Sequence, residues 1–267
     1  MRVVLLVLFL CSLVAGEENP YLMSFEDLAK VQIVGATLTE KDLRSVPSAV
    51  TVFTQEEIKK LGLDNLQELM NFVPGFQAYK TANHSLGQAY SSRGRNVGTA
   101  GREVLVLVDG ARTEDLFGGS SASTLSFYSL DRVKRVEFIR GPGSAIHGAN
   151  SFLGVVNIIT DKDLNEAEVQ VSTDGAVDSY ISASGLYEDM KLSAYFRRYY
   201  DKGENYRVED PLSNNSISTS DPANIEELNL SLEYFDSSLD FSYAERHASE
   251  FYVVGVIDDD INEYRTE

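Results

Sequence analysis

The stretch from Arg132 to Lys162, RVKRVEFIRGPGSAIHGANSFLGVVNIITDK, decides the fold. It reads strand, glycine-rich turn, strand. Val136, Phe138 and Ile139 are β-formers, and Glu137 alternates with them, facing away. Gly141-Pro142-Gly143 breaks that strand and opens a turn. One turn of helix, about Ser144 to His147, fits before Gly148, and the apolar run Leu153 to Ile159 forms a second strand. A strand followed by Gly-x-Gly also marks dinucleotide sites. Such a site needs a full helix after the glycines, with its N-terminal N–H groups facing a pyrophosphate. Here the next strand begins too soon for that crossover, and Pro142 sits inside the glycine pair.

The stretch resembles the end of the plug domain of TonB-dependent outer-membrane receptors. In that family the plug closes with a pattern like R-V-E-x-I-R-G-P-x-S-x-x-Y-G-x-x-A-x-G-V-I-N-I-I-T. Arg135, Val136, Glu137, Ile139, Arg140, Gly141, Pro142, Ser144, Gly148, Gly154, Val155, Asn157, Ile158, Ile159 and Thr160 match it in order. His147 replaces the usual Tyr, and Phe152 stands near the usual small residue. The stretch after Ser45 is similar to the family's plug opening, and Val104 to Gly110 resembles its V-L-V-L-x-D-G. The resemblance covers about Val31 to Lys162 and the strands that follow. It implies an α/β plug domain followed by the antiparallel strands of an incomplete outer-membrane β-barrel.

Composition fits a folded, exported protein. The chain has 267 residues, 43% hydrophobic and 24% charged, which argues against global disorder. A formal net charge of -18 makes nucleic acid a poor partner, because phosphate binding needs clustered Lys and Arg. Residues 1–16 read as a secretory signal: Arg2, an apolar run from Val3 to Leu13, and small residues at Ala15-Gly16 before Glu17. Cys11 lies inside that signal, so the mature chain carries no cysteine. No later apolar run is long enough for a helical span, so any membrane crossing is by barrel.

Residues 17–44 form a polar N-terminal segment with one apolar cluster, Val31 to Val34. The cluster suits a short strand or a fraying terminus. By the resemblance, Gln32, Ile33, Val34, Gly35 and Ala36 are the candidate TonB box, which pairs as an added strand with the periplasmic TonB protein.

Residues 45–162 are the expected plug. Ala49 to Phe53 is a strand, and Thr54-Gln55-Glu56-Glu57 is a capping box that starts a helix ended by Gly62. Asn65 caps a second helix carrying Leu66, Leu69 and Met70, stopped by Pro74-Gly75. Ala78 to Arg102 is polar and glycine-containing; its Arg93-Gly94 lacks the Gly-Lys-Ser/Thr ending of a phosphate loop. The resemblance places that Arg-Gly on a plug strand behind the substrate-facing loops. Val104 to Val108 is a strand buried on both faces. Asp109-Gly110 turns it, with Asp109 bonding its own backbone. Arg93, Gly94, Asp109, Gly110, Arg140, Gly141, Pro142 and Gly148 make up the structural motif.

The outer plug loops, implied to contact the ligand, are Tyr79 to Tyr90 and Arg112 to Phe127. Tyr79, His84 and Tyr90 mark the first; Arg112 and Phe117 mark the second. Aromatic rings supply flat contact area and Arg112 can bond anionic oxygens of a chelate. Joint replacement of Tyr79, Tyr90, Arg112 and Phe117 by alanine is expected to weaken binding more than tenfold, on the order of 1.4 kcal/mol, with little change in stability. No cofactor, metal site or catalytic constellation stands out. His84, His147 and His247 lie far apart, and no Gly-x-Ser-x-Gly is present.

Residues 163–267 alternate strictly. Leu192, Ala194 and Phe196 alternate with Lys191, Ser193 and Tyr195, and Leu228, Leu230, Leu232 and Tyr234 with Glu227, Asn229, Ser231 and Glu233. About five strands follow, joined by tight turns at Glu188-Asp189 and Asp236-Ser237-Ser238 and by a long polar connection from Asp201 to Asn224. This pattern suits an outer-membrane barrel or a soluble sheet with one wet face; the adjoining plug favours the barrel. A plugged barrel of about 22 strands needs far more chain, so the sequence reads as an N-terminal piece of a longer receptor.

The expected function is a TonB-dependent outer-membrane receptor for a scarce bulky nutrient, most often a ferric siderophore in this family, with TonB as energy-coupling partner. The alternative is a non-transporting secreted plug-like module or a non-functional truncated receptor. Further alternating strands in the coding sequence after Glu267 would separate the two.

Overall fold

The computed structural model describes residues 32–33, 41–42, 49–80, 88–95, 100–115, 118–122, 128–209, 216–249 and 263–266. Two short strands come first, β1 (Gln32–Ile33) and β2 (Lys41–Asp42), paired antiparallel. β3 (Ala49–Thr54) then runs into α1 (Gln55–Leu61) through the capping box. The Thr54 hydroxyl accepts from the Glu57 N–H, and the Glu57 carboxylate accepts from the Thr54 N–H at 2.8 Å. Glu56 and Glu57 in the first turn and Lys59 and Lys60 in the last both match the helix dipole. Asn65 caps α2 (Leu66–Met70) by accepting from the Glu68 N–H at 3.0 Å.

A hairpin follows, β4 (Phe76–Lys80) with β5 (Gln88–Ser92). After a 3₁₀ turn at Ala100–Glu103 come β6 (Val104–Val108), β7 (Ala111–Arg112), β8 (Val133–Arg140), α3 (Ser144–His147) and β9 (Gly154–Thr160). The stretch opened by Arg132 thus folds as strand, one helical turn and strand. The sheet order is β3-β8-β9-β6-β7, with β6 and β9 parallel and the other pairs antiparallel.

The helices cover one face of this sheet. Ile58, Leu66, Leu69, Met70 and Val73 pack there against Val106, Val136, Phe138, Val156 and Ile158. On the other face Leu105, Leu107, Ile139 and Val155 are also buried. Both faces being dry explains the unbroken apolar runs of β6 and β9. It also corrects the reading of Glu137, which points to the second face but is wholly buried. Its carboxylate accepts from Arg135 Nε at 2.9 Å and from Asn157 Nδ2 at 3.0 Å, so the charge is paired inside. Gly154 sits where β8 and β9 meet Phe76; an added Cβ would lie 2.8 Å from the Ile139 carbonyl oxygen.

Asp109 differs from expectation as well. Its backbone is left-handed, with φ at 49°. Its carboxylate accepts from the Thr160 N–H at 2.9 Å and the Thr160 hydroxyl at 2.6 Å, fastening the end of β6 to the end of β9. The turn aims the side chain at the parallel neighbour instead of its own backbone.

The C-terminal part is β10 (Glu166–Val171), β11 (Val177–Tyr187), β12 (Met190–Asp201), β13 (Asn205–Glu209), β14 (Ser216–Ser220), β15 (Ala223–Tyr234), β16 (Ser237–Ser249) and β17 (Glu263–Thr266). Six of them form one antiparallel sheet, ordered β10-β11-β12-β15-β16-β17. β13 and β14 pair separately, so the polar connection after Asp201 is a hairpin ribbon instead of an irregular loop. The second tight turn is Phe235-Asp236, one residue earlier than expected, because Tyr234 pairs with Ser237. Glu188 and Phe235 both take positive φ, as two-residue hairpin turns require.

The alternation is inverted relative to a soluble sheet. Val169, Ile181, Leu192, Phe196, Leu230, Leu239 and Phe241 are exposed on the outer face. Tyr180, Ser182, Tyr195, Arg197, Ile225 and Glu227 are buried on the inner face, toward the first domain. That is the polarity of a wall with lipid outside and polar contents inside.

The core built by Phe138 and its neighbours lies wholly within residues 49–160. Residues 31–162 expressed alone should therefore melt cooperatively by circular dichroism. A melt without a transition would show that the wall is needed for folding.

Candidate functional site

The expected ligand residues do not form one cluster. His84 and Phe117 lie outside the described residues, as do Val34, Gly35 and Ala36. Tyr79 and Tyr90 are strand residues of the β4–β5 hairpin and sit on opposite faces of it. Tyr90 pairs with Ala78, both turned into the core, whereas Tyr79 opposite Ala89 is exposed. Tyr90 is 2% exposed, which corrects its placement on a loop surface. Its hydroxyl accepts from the Ser121 N–H at 3.0 Å, and burial pushes its pKa up to about 12. Replacing it with alanine would excavate the core, so the joint alanine variant is not stability-neutral.

Arg112 is exposed but engaged. Its Nε and Nη2 donate to Glu114 at 3.1 Å and 2.6 Å, and its Nη1 and Nη2 donate to the carbonyls of His147 and Ala149, each at 2.9 Å. Those bonds pin the turn after α3 to β7, leaving little of the guanidinium for a chelate.

Among the motif residues, Arg93 and Gly94 take consecutive left-handed conformations just past β5, in a turn and not on a strand. The Arg93 N–H donates to the Gly75 carbonyl at 2.6 Å, and its Nη2 approaches Gly141, whose φ of 122° suits only glycine. Arg140 reaches the Pro74 carbonyl at 3.5 Å. Gly110 and Gly148 also have positive φ, and Pro142 is exposed. The motif therefore braces the hairpin against the Gly-Pro-Gly turn.

Of the candidate TonB box, Gln32 and Ile33 pair with Asp42 and Lys41. That pairing uses one edge of β1.

Two asparagines escaped sequence reasoning. Asn71 clamps the hairpin, its Oδ1 accepting from the Ala78 N–H at 2.9 Å and its Nδ2 donating to the Ala78 carbonyl at 3.0 Å. Asn150, with φ at 65°, donates to Glu114 at 3.2 Å and to the Gly119 carbonyl at 3.1 Å. Its place two residues after Gly148 was the available signal for a turn residue.

The seam between the first domain and the wall is polar. Arg132 donates to Asn229 at 3.1 Å and stacks over Tyr195, 5.4 Å from the ring centroid. Lys59 meets Glu166 at 3.3 Å, and Lys162 meets Asp240 at 2.7 Å. Arg197, 5% exposed, binds Asp178 at 2.6 Å and also lies 3.7 Å from Asp131 and 3.8 Å from Glu227.

Burial pushes the Asp131 carboxyl up to about 6, against the opposing pull of the Ser129 hydrogen bond and the Arg197 charge. Its folded value thus exceeds the ordinary 3.8. The folded state binds the proton more tightly, so this group's contribution is largest below about pH 4 and declines as pH rises through 6. Asp131→Asn should remove that trend. Relative to the parent chain, the variant should gain on the order of 2 kcal/mol between pH 4 and pH 7, read as the difference of paired melts. Parallel pH profiles would rule out Asp131 as the titrating group.

The TonB-dependent Receptor Plug Domain family matches residues 42–155. The ferripyoverdine receptor of the Pseudomonas aeruginosa outer membrane, solved with ferripyoverdine, superposes with a TM-score of 0.63 at 20% identity, over 82% of this chain and 28% of that one. The ferric yersiniabactin uptake receptor of Yersinia pestis gives 0.54 at 22% identity, over 75% of this chain and 32% of that one. The ferric-catecholate import receptor of E. coli K12 in its open form gives 0.55 at 15% identity, over 78% and 28%. The chain spans about a third or less of these receptors' length. Residues 42–155 thus match the TonB-dependent receptor plug domain, and the solved receptors share the fold of that part and of the sheet that follows it.

Proposed function

We propose that this chain is the plug and first wall strands of an outer-membrane receptor that takes up a ferric siderophore or a comparably bulky nutrient. What supports the reading most is the inverted polarity of the sheet, with Leu192, Phe196, Leu230 and Phe241 outward and the plug seated on its polar face. A secreted soluble module has no use for an exposed band of that size. The solved receptors that share the fold carry ferric siderophores in their names, and the ligand class is inferred from them.

TonB would engage the chain ahead of the plug by strand addition at Gln32 to Ala36. Main-chain N–H groups carry such pairing, and proline removes one. Ile33→Pro should weaken binding to the periplasmic domain of TonB at least about tenfold, or 1.4 kcal/mol, while Ile33→Ala changes it little. Equal effects would rule out strand addition here. Membrane fractionation of cells that make the protein at the length of those receptors tests the wider reading: it should sediment with outer membranes and resist carbonate extraction. Recovery in the soluble periplasmic fraction would favour the secreted module.

A further inference from the structure

The residues between β9 and β10, Asp161 to Asn165, run across the inner face of the wall. The Asp161 N–H donates to the Arg132 carbonyl at 2.7 Å, which fixes the start. Lys162 then reaches Asp240 on β16 at 2.7 Å and Glu233 on β15 at 3.5 Å. Asp163 meets Lys191 on β12 at 2.7 Å. Asn165 takes Ser184 on β11, its Oδ1 accepting from the backbone N–H and its Nδ2 donating to the hydroxyl, each at 2.7 Å. Glu166 opens β10. The contacts therefore fall in sheet order: β16, β15, β12, β11, β10. Ser184, Lys191 and Glu233 alternate in step with the buried Ser182, Arg197 and Glu227, so they point inward.

Four gaps between neighbouring strands come to about 19 Å. The steps from Lys162 to Glu166 cover at most about 14 Å, and the Lys162 side chain spans the rest. The segment has little slack. Its ion pairs are partly exposed, and each would be weak by itself. What joins them is the short chain they share. The Asn165 amide also stands in for a backbone partner at Ser184, so β10 pairs with β11 only from Glu166 onward.

We propose that residues 161–165 are a taut strap that laces five wall strands together across their inner face and opens as one unit. The end of β9 then cannot shift against the wall unless the whole strap releases. The proposal rests on the plug-and-wall reading above and on no ligand.

The test reads amide exchange in the protein made at the length of the solved receptors, in detergent micelles. Lys162→Met should accelerate exchange at Ser184 about tenfold or more, although Lys162 bonds to β15 and β16 and not to Ser184. Asn165→Ala should do the same at Asp161. The amides of β6 and β8 should exchange as before. Two glycines inserted between Lys162 and Asp163 add roughly 7 Å of slack. In that background Lys162→Met should leave Ser184 unchanged. Effects confined to each residue's own contacts overturn the strap, as does a Lys162→Met effect on Ser184 that survives the insertion. Acceleration that spreads through β6 and β8 overturns it too, because the plug would then be opening as a whole. A protein recovered without detergent counts against the receptor reading, and exchange measured on that soluble protein still decides the strap.

Discussion

Arg197→Ala should destabilise the folded chain by about 3–5 kcal/mol, the range for removing one partner of a buried ion pair. The guanidinium serves three carboxylates at once. Asp178 takes Nε and Nη2 at 3.0 Å and 2.6 Å, while Asp131 and Glu227 stand just beyond. Arg246, at 3.0 Å from Glu227, and the buried Arg132, whose charge also acts on Glu227, remain, so alanine leaves three acids to two bases in a largely buried seam. The Tyr199 ring, 5.6 Å from the guanidinium carbon, loses its cation as well. Arg197→Lys keeps the charge but loses the two-pronged contact to Asp178, and should fall between. Thermal melts of the full chain in detergent measure this. A loss below about 1 kcal/mol would place the pair in the class of solvated surface bridges.

The second large effect is expected at Phe138. The side chain is wholly buried at the centre of the plug core. Its ring meets Phe53 at 6.1 Å and Phe76 at 5.5 Å, both edge to face. Phe138→Ala should cost about 3–5 kcal/mol, from lost burial plus the cavity left between β8 and the hairpin. Phe138→Leu fills most of that space and should cost under half as much. Residues 31–162 suffice for this measurement, with the parent segment's own melt as control. Equal melts for parent and alanine variant would mean that the three rings do not form a shared core.

Much of this fold was legible in local signals. The Thr54 capping box, the Gly62 stop and the buried runs of β6 and β9 are short-range patterns with direct physical causes. Alternation likewise exposed the wall strands. It could not say which face was dry. Glu137 was read as facing away because alternation reports a second face and not its cover. The polar, glycine-rich neighbours of Tyr90 read as loop, yet it packs into the plug core and bonds Ser121, thirty-one residues later. The ribbon of β13 and β14 escaped for the opposite reason. Ser216–Ser220, SISTS, carries one apolar residue in five and leaves no periodic mark. The seam is the least legible part, because Asp131 and Arg197 belong to different domains and are joined only by topology.

The order of the plug sheet has a mechanical consequence. Among the described residues β3 is an edge strand bonded only to β8, while β9 lies in the middle and leads through five residues, Asp161 to Asn165, into the wall. Ala49 pairs with Arg140 at one end of the sheet; Thr54 pairs with Arg135 at the other, beside Thr160. A load on the chain before Ala49 therefore meets two different resistances. Drawn toward the Thr160 end, β3 folds back and its bonds break one pair at a time. Drawn the other way, all its bonds are loaded in parallel and yield together. The strand is thus a zipper in one direction and a bolt in the other, while the tethered middle of the sheet stays moored to the wall.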